Sequence, residues 1–348
     1  MANIPKPLTL AYSRIKDLEI KLDLYLPPDA TGTLPVIIFF HGGGLTVGNR
    51  HDTTMSETMW LLGSFNCFIC SEHRTYRSAL EMAIAHGMIF ISPDYHLLCP
   101  STGLDQIADV KALFHFLSTD VNAHLAGVTL DATRIGVAGL SAGGYLIRLA
   151  ALYAEPRPRA ALSLFGMGGD WFLDHHLDVK STLSRSIGYT VSQEDGAKLA
   201  KFQNMDPLVG APDDNSDGRV DLVLWWFQNG EFIDHLVGEV GLSERLCALP
   251  VAEREAAIPA NMAVLFPQLH IDSRHLPMFF IHGEKDSVVL VSESEYTHRQ
   301  LQRAGVRSVL HTVPDAEHGL YIQPEGKLAP EVEDLYKQAF EFLAKEMA

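Results

Sequence analysis

The chain is poor in cysteine, in long apolar runs and in positive charge. Its 4 cysteines in 348 residues are too few to be a disulfide framework. No run approaches the roughly 20 apolar residues that a helical membrane span needs, and Met1 to Lys6 leads into no signal-type apolar core. Against 43 Asp and Glu stand 27 Lys and Arg, a formal net charge of −16. Phosphate backbones and anionic bilayers are held by basic surfaces, so neither nucleic acid nor an anionic membrane is an expected partner. Highly anionic substrates are disfavoured for the same reason. Cys67 and Cys70 form a C-x-x-C with no second pair nearby, which reads as structural. The expectation is a reduced, cytoplasmic protein without a membrane span; no internal repeat or low-complexity tract is visible.

What is present is the alternation of a parallel-sheet protein. Val36-Ile37-Ile38-Phe39-Phe40 is a continuous apolar run, as a strand buried on both faces should be. Met88 to Ile91, Arg134 to Ala138, Ala160 to Phe165, Pro277 to Gly283 and Val306 to Val313 read as further strands. Leu18, Ile20, Leu22, Leu24 and Leu26 alternate with polar residues, predicting a half-buried antiparallel edge strand that Pro27-Pro28 stops. From Leu104 to Leu117 the residues Ile107, Val110, Leu113, Phe114 and Leu117 share one helical face. Val332 to Leu343 predicts a closing helix.

The chemistry-bearing motifs sit where these strands end. Gly139-Leu140-Ser141-Ala142-Gly143 lies between a strand and the helical run Tyr145 to Ala154. A serine on so sharp a turn is lifted above the sheet edge, and the helix N-terminus points its free N–H groups at whatever the serine attacks. A bare G-x-S-x-G is common in Gly-rich turns, so its weight comes from companions. The strand at Val36 runs into His41-Gly42-Gly43-Gly44, either a flexible loop or a row of N–H donors for an oxyanion. Beyond Gly283 come Glu284-Lys285-Asp286, an acid just past a strand's C-terminal end. Pro314-Asp315-Ala316-Glu317-His318-Gly319 follows the last strand.

The chain order is therefore Ser141, Asp286, His318, as expected when nucleophile, acid and base lie on successive strands of a parallel sheet. Glu284, Asp315 and Glu317 are alternative acids. Asp286 is favoured because it lies in the loop and an apolar segment follows to anchor it. Among 16 histidines, His318 stands out between a Pro-Asp turn and a glycine, while His282 is expected to be structural.

These motifs resemble the α/β-hydrolase fold, and within it the hormone-sensitive-lipase-like branch of esterases and lipases. The resemblance spans roughly residues 18 to 345, with His41 to Gly44 matching the branch's HGGG and Gly139 to Gly144 its nucleophile elbow. Asp286 and His318 match its two remaining triad loops. Ser92 to Pro100 is similar to its D-Y-R-L-A-P segment. Three departures stand out. Leu140 replaces an acidic residue, which makes the turn's surroundings more apolar. His96 replaces Arg, which puts the family's ion pair there in doubt. About 40 residues separate Gly44 from the strand at Met88, and Met55 to Cys70 are expected to form extra helix over the site.

The fold class implied is α/β, a mostly parallel central sheet flanked by helices. Residues 1–165 and 276–348 would form the core and 166–275 a helical lid insertion. Trp171-Phe172, Trp225-Trp226-Phe227 and Phe232 suit either an acyl-binding surface or the lid's own core. Asp174-His175-His176 lacks the spacing of a metal site and reads as solvated surface. The expected activity is hydrolysis of the carboxylic ester of a small, largely apolar molecule. Ser141 would attack, the N–H groups of Gly43, Gly44 and Ala142 would hold the oxyanion, His318 would act as base then acid, and Asp286 would orient it. No cofactor or metal is required. The same triad serves acyl transfer or lactone formation in small-molecule biosynthesis. A non-catalytic receptor on this fold typically lacks a triad member, and here none is missing. A homodimer is compatible with the sequence.

Overall fold

The computed structural model describes residues 5–51, 68–183, 190–211, 217–324 and 326–348, with the side chains of all of these except 68–74. The strands of its main sheet are β1 (Leu8–Ile15), β2 (Leu18–Tyr25), β3 (Gly32–Phe40), β4 (Ile89–Pro93), β5 (Val128–Leu140), β6 (Ala160–Leu164), β7 (Met278–Gly283) and β8 (Ser308–Val313). They lie in the order β1-β2-β4-β3-β5-β6-β7-β8. β2 pairs antiparallel with β1 and β4, and every pairing from β4 onward to β8 is parallel. This is the mostly parallel α/β sheet that the apolar runs predict.

The helices in chain order are α1 (Phe68–Ala85), α2 (Gly103–Thr119), α3 (Gly143–Tyr153), α4 (Asp174–Leu177), α5 (Gln193–Lys198), α6 (Arg219–Asn229), α7 (Phe232–Val237), α8 (Leu242–Cys247), α9 (Val251–Arg254), α10 (Val291–Arg303) and α11 (Val332–Glu346). Side chains alternate across a strand, so β3 feeds two cores. Val36, Ile38 and Phe40 pack with α2, α3 and much of the 166–275 segment. Ile37 and Phe39 pack with Phe90, the buried residues of α1 and those of α11. On that second face Phe39, Tyr76 and Phe90 form edge-on and stacked ring pairs 5.4–5.7 Å apart. The face of α2 that the periodicity marks is buried throughout, from Ile107 to Leu117, and Thr102 caps the helix in a reciprocal capping box with Asp105.

Several expectations change. β2 is not the edge of the sheet; β1 is. Leu8, Leu10 and Tyr12 share one face of β1, but only Tyr12 is buried while Leu8 and Ile15 are exposed, so the pattern is short and weak. Asp23, on β2, is buried because Thr9 donates to it and Arg50 and His51 lie against it. His175 and His176 are not solvated surface either. His176 is fully buried against Trp171 with its Nε2 2.9 Å from Glu293, and His175 Nε2 is 2.8 Å from the Val288 carbonyl. Apolar neighbours bury that turn, and a carboxylate makes the burial tolerable. Most of Met55 to Cys70 lies outside the described residues, as does Cys67. The part from Phe68 onward belongs to α1, which packs against α11 through a Thr75–Tyr336 hydroxyl pair at 3.0 Å.

Between β6 and β7 the 166–275 segment holds six short α-helices among its described residues. Its aromatics pack on one another: Phe227 stacks on Phe232 at 4.7 Å, and Phe232 on Trp171 at 5.4 Å. They form that segment's own core, with Trp226 buried beside them. No helix among the described residues is long and apolar enough to cross a membrane.

Burial pushes His235, stacked on Trp226, and His275, at the foot of β7, down to about 4. The unfolded chain takes up protons below its ordinary histidine range, near 6.5, before the folded chain does. Stability contributed by these neutral rings is present above that range and is lost as pH falls toward 4. Thermal melts between pH 7 and pH 4.5 should show the midpoint falling by several degrees, and His275→Asn should flatten that slope.

Candidate active site

Ser141 occupies the turn between β5 and α3 with φ +50, a left-handed conformation that a residue with a side chain rarely takes. The strain is held by packing on both sides. A Cβ on Gly143 would lie 2.2 Å from the Phe40 carbonyl oxygen, and one on Gly139 would lie 2.3 Å from the Gly143 oxygen. The first turn of α3 thus rests directly on the end of β3, at a distance only glycine permits. Hydrogen bonds finish the clamp: the Ser141 N–H donates to Leu164 O, and Met167 N–H donates to Ser141 O.

The sequence-predicted triad converges. Ser141 Oγ lies 3.0 Å from His318 Nε2, and His318 Nδ1 lies 2.8 Å from Asp286 Oδ2. All three side chains are buried, and Phe165 sets its ring edge-on to the His318 imidazole at 4.9 Å. The other Asp286 oxygen, Oδ1, accepts the Val288 and Val289 N–H groups at 3.0 and 2.9 Å. Burial opposes ionisation of Asp286. The pull of His318 and hydrogen bonds from His282 and His318 outweigh it and hold the carboxyl well below the usual carboxylate range.

The alternative acids are engaged elsewhere. Glu284 accepts from Thr312 at the surface, and Asp315 pairs with Lys285. Glu317 accepts the N–H and hydroxyl of Ser287 at 3.0 and 2.8 Å, tying the acid's loop to the histidine's. His282 is buried and structural as expected, bonded to Ser294 Oγ and the Val289 carbonyl. Its Nε2 also lies 3.2 Å from Asp286 Oδ2, so it shares the acid with His318.

The His41 loop is built to present its amides. Gly43 O accepts from Thr46 and Val47 N–H at 3.0 and 3.1 Å, which folds the chain back on itself. A trans peptide sets the next N–H opposite its carbonyl, so the Gly44 N–H points out of that turn. Among the described residues, the N–H groups of Gly43, Gly44 and Ala142 donate to no backbone carbonyl. His41 stacks on Tyr95 at 4.2 Å, and the Tyr95 hydroxyl donates to His41 O at 2.9 Å. The 92–100 segment therefore serves as the support of the glycine loop.

The departures resolve in physical terms. Leu140 is fully buried in the core of the α1–α11 face. His96 Nδ1 lies 2.9 Å from the Asp109 carboxylate of α2, so the imidazole at this position faces an acid. Sequence reasoning missed Glu293. From α10 it reaches the N–H groups of Gly168 and Gly169 at 2.8 and 2.9 Å and His176, fixing the loop that bonds Ser141. Its own carboxyl is disfavoured by burial yet held low by His176, by the Gly169 N–H and by Arg148. A glutamate in a helix's first turn looks like ordinary capping, so no sequence signal marked it. No group of three His, Cys, Asp or Glu suited to a metal occurs among the described residues.

Against known proteins, the chain matches the family described as BD-FAE over residues 22–301. A Staphylococcus aureus protein of unknown function superposes with a TM-score of 0.65 at 16% identity, over 98% of this chain and 100% of that one. Thermogutta terrifontis esterase 2 superposes with a TM-score of 0.56 at 17% identity, over 99% and 96% of the two chains. Such identities speak for the fold alone. A non-reducing polyketide synthase of Preussia isomera is 24% identical over 360 residues, 96% of this chain but 14% of the synthase. The chain thus spans about one seventh of the length of that curated relative. A Phoma protein named probable carboxylesterase is 30% identical over 164 residues, 44% of this chain and 45% of its own. The sheet order and the family match agree: the chain belongs to the BD-FAE family, whose members are esterases of the α/β-hydrolase fold.

Proposed function

We propose that this protein is a serine hydrolase that cleaves carboxylic esters through an acyl-enzyme at Ser141. The observation that carries the reading is the hydrogen-bonded chain from Ser141 Oγ through His318 to Asp286, 3.0 and 2.8 Å. His318 Nε2 takes the hydroxyl proton as Oγ attacks the carbonyl carbon, then returns it to the departing alkoxide. Water attacks the acyl-enzyme with the same histidine as base. The developing oxyanion is met by the N–H groups of Gly43, Gly44 and Ala142, fixed before the charge appears. Residues 166–275 form a cap beside the site. Its aromatics serve its own core, so specificity for a largely apolar substrate rests on the cap's shape more than on an aromatic cluster facing the acyl group.

A second reading rests on the polyketide synthases that match nearly the whole chain. The same acyl-enzyme passed to an alcohol in place of water would be an acyl transfer, with a polyketide-type acyl group as the donor. Adding a short alcohol to the ester assay separates the two. Free acid as the dominant product supports hydrolysis, and a transesterified product in excess supports transfer.

Hydrolysis of p-nitrophenyl esters from acetate to decanoate is the direct test of the first reading. Ser141→Ala should lose roughly 10³-fold or more in kcat/KM on whichever ester is best, and an inert wild type would overturn it. Asp286→Asn probes the acid separately. The Val288 and Val289 N–H groups would hold the amide oxygen at the Oδ1 position and turn the amide NH2 toward His318 Nδ1. That forces the proton onto Nε2, the tautomer that cannot accept from serine. We expect kcat to fall by roughly 10⁴-fold with little change in the melting midpoint.

A further inference from the structure

We infer that Arg219, on the cap helix α6, is a positioning residue for the oxyanion loop. The inference rests on the serine-hydrolase reading and extends it to a residue outside the motifs. Arg219 is fully buried, and among the described residues its guanidinium bonds backbone carbonyls and no carboxylate. Its Nε donates to Thr46 O at 3.0 Å, and its Nη2 donates to Leu98 O and Cys99 O at 2.9 and 2.8 Å. Thr46 answers by donating its hydroxyl to the Arg219 carbonyl at 3.3 Å, and Phe202 packs against the guanidinium at 5.0 Å.

The three carbonyls belong to the segments that set the glycine loop. Thr46 closes the turn onto Gly43 O, and Leu98 N–H donates to Leu45 O at 2.7 Å. One planar fork therefore locks residues 45–46 to residues 98–99, and with them the direction of the Gly44 N–H. One helical turn beyond Arg219, and so on the same face, Val223 covers Gly44. A Cβ on Gly44 would lie 2.8 Å from Val223 Cγ2. Helix α6 thus touches the loop at two points, a polar clamp and an apolar stop. The cost of burying a charge is borne by three charge-assisted bonds to main chain. Such an investment holds backbone in place, and the backbone held here carries the proposed oxyanion donors. A lysine offers its three donors from one atom and lacks the planar fork that here bonds through both Nε and Nη2, so Arg219→Lys is expected to loosen the clamp.

Donors aimed at a transition-state charge affect kcat and leave ground-state binding alone. Arg219→Met, which keeps apolar volume, should lower kcat on the best p-nitrophenyl ester by about 10- to 100-fold, with KM within about threefold. Its inhibition constant for a trifluoromethyl ketone, which forms a tetrahedral oxyanion on serine, should rise by the same factor. Inhibition by the product carboxylic acid should not move. If Arg219→Met does not fold, Val223→Ala carries the test, with a smaller fall in kcat and the same split between inhibitors. Folded variants whose kcat and ketone affinity stay within twofold of wild type would overturn the inference, as would equal weakening of ketone and product. Ser141→Ala runs in parallel. Full activity there would sink the serine-hydrolase reading itself, whereas an inactive Ser141→Ala beside unaffected Arg219 and Val223 variants would sink only the role of α6.

Discussion

The contact on which the rest of this molecule depends is the approach of Gly143 to the carbonyl of Phe40. It brings the first turn of α3 onto the end of β3, so that the serine turn and the glycine loop share one corner of the sheet. Ser141 can hold φ +50 only because glycines on either side let the backbone close around it. Any side chain at position 143 would drive the helix off the strand and separate Ser141 from the glycine loop. Parallel strand order does the remaining gathering. β5, β6, β7 and β8 lie side by side, so the loops that follow β5, β7 and β8 deliver serine, aspartate and histidine to one edge.

Buried polar side chains around this corner end on main chain more than on one another. Asp286 takes two amides of its own loop, Glu293 takes two amides of the loop after β6, and Arg219 gives to three carbonyls. Each bond satisfies a charge that burial would otherwise penalise. Each also fixes a stretch of irregular backbone that no regular ladder could hold. On the α6 side the 166–275 segment therefore meets the glycine loop directly, through the bonds of Arg219 to the Thr46, Leu98 and Cys99 carbonyls.

What could be read from the sequence follows from how local its cause is. The elbow, the glycine loop and the order of Ser141, Asp286 and His318 were legible because strand ends, turns and glycines leave marks within a few residues. The α2 face was legible through its helical period. β1 was not, because only Tyr12 of its inward face is buried, too short an alternation to mark an edge strand. His176 was misread because its burial comes from Trp171, nearby, and Glu293, 117 residues away. Glu293 and Arg219 escaped for the same reason: their partners are distant in sequence and mostly backbone, and backbone leaves no letter to match. The contact of His282 with Asp286, four residues on, escaped because the loop that folds one onto the other has no regular period. The aromatics of residues 171–232 were visible as a cluster, but only packing could say that they face each other.

The central claim is that Ser141, activated by His318, is the nucleophile. Labelling with an alkyl fluorophosphonate, followed by peptide mass spectrometry, tests it most directly. One covalent adduct on the peptide carrying Ser141, formed at least about 100-fold more slowly in His318→Ala, is the predicted result. An adduct on another residue, or a labelling rate indifferent to His318, would contradict it.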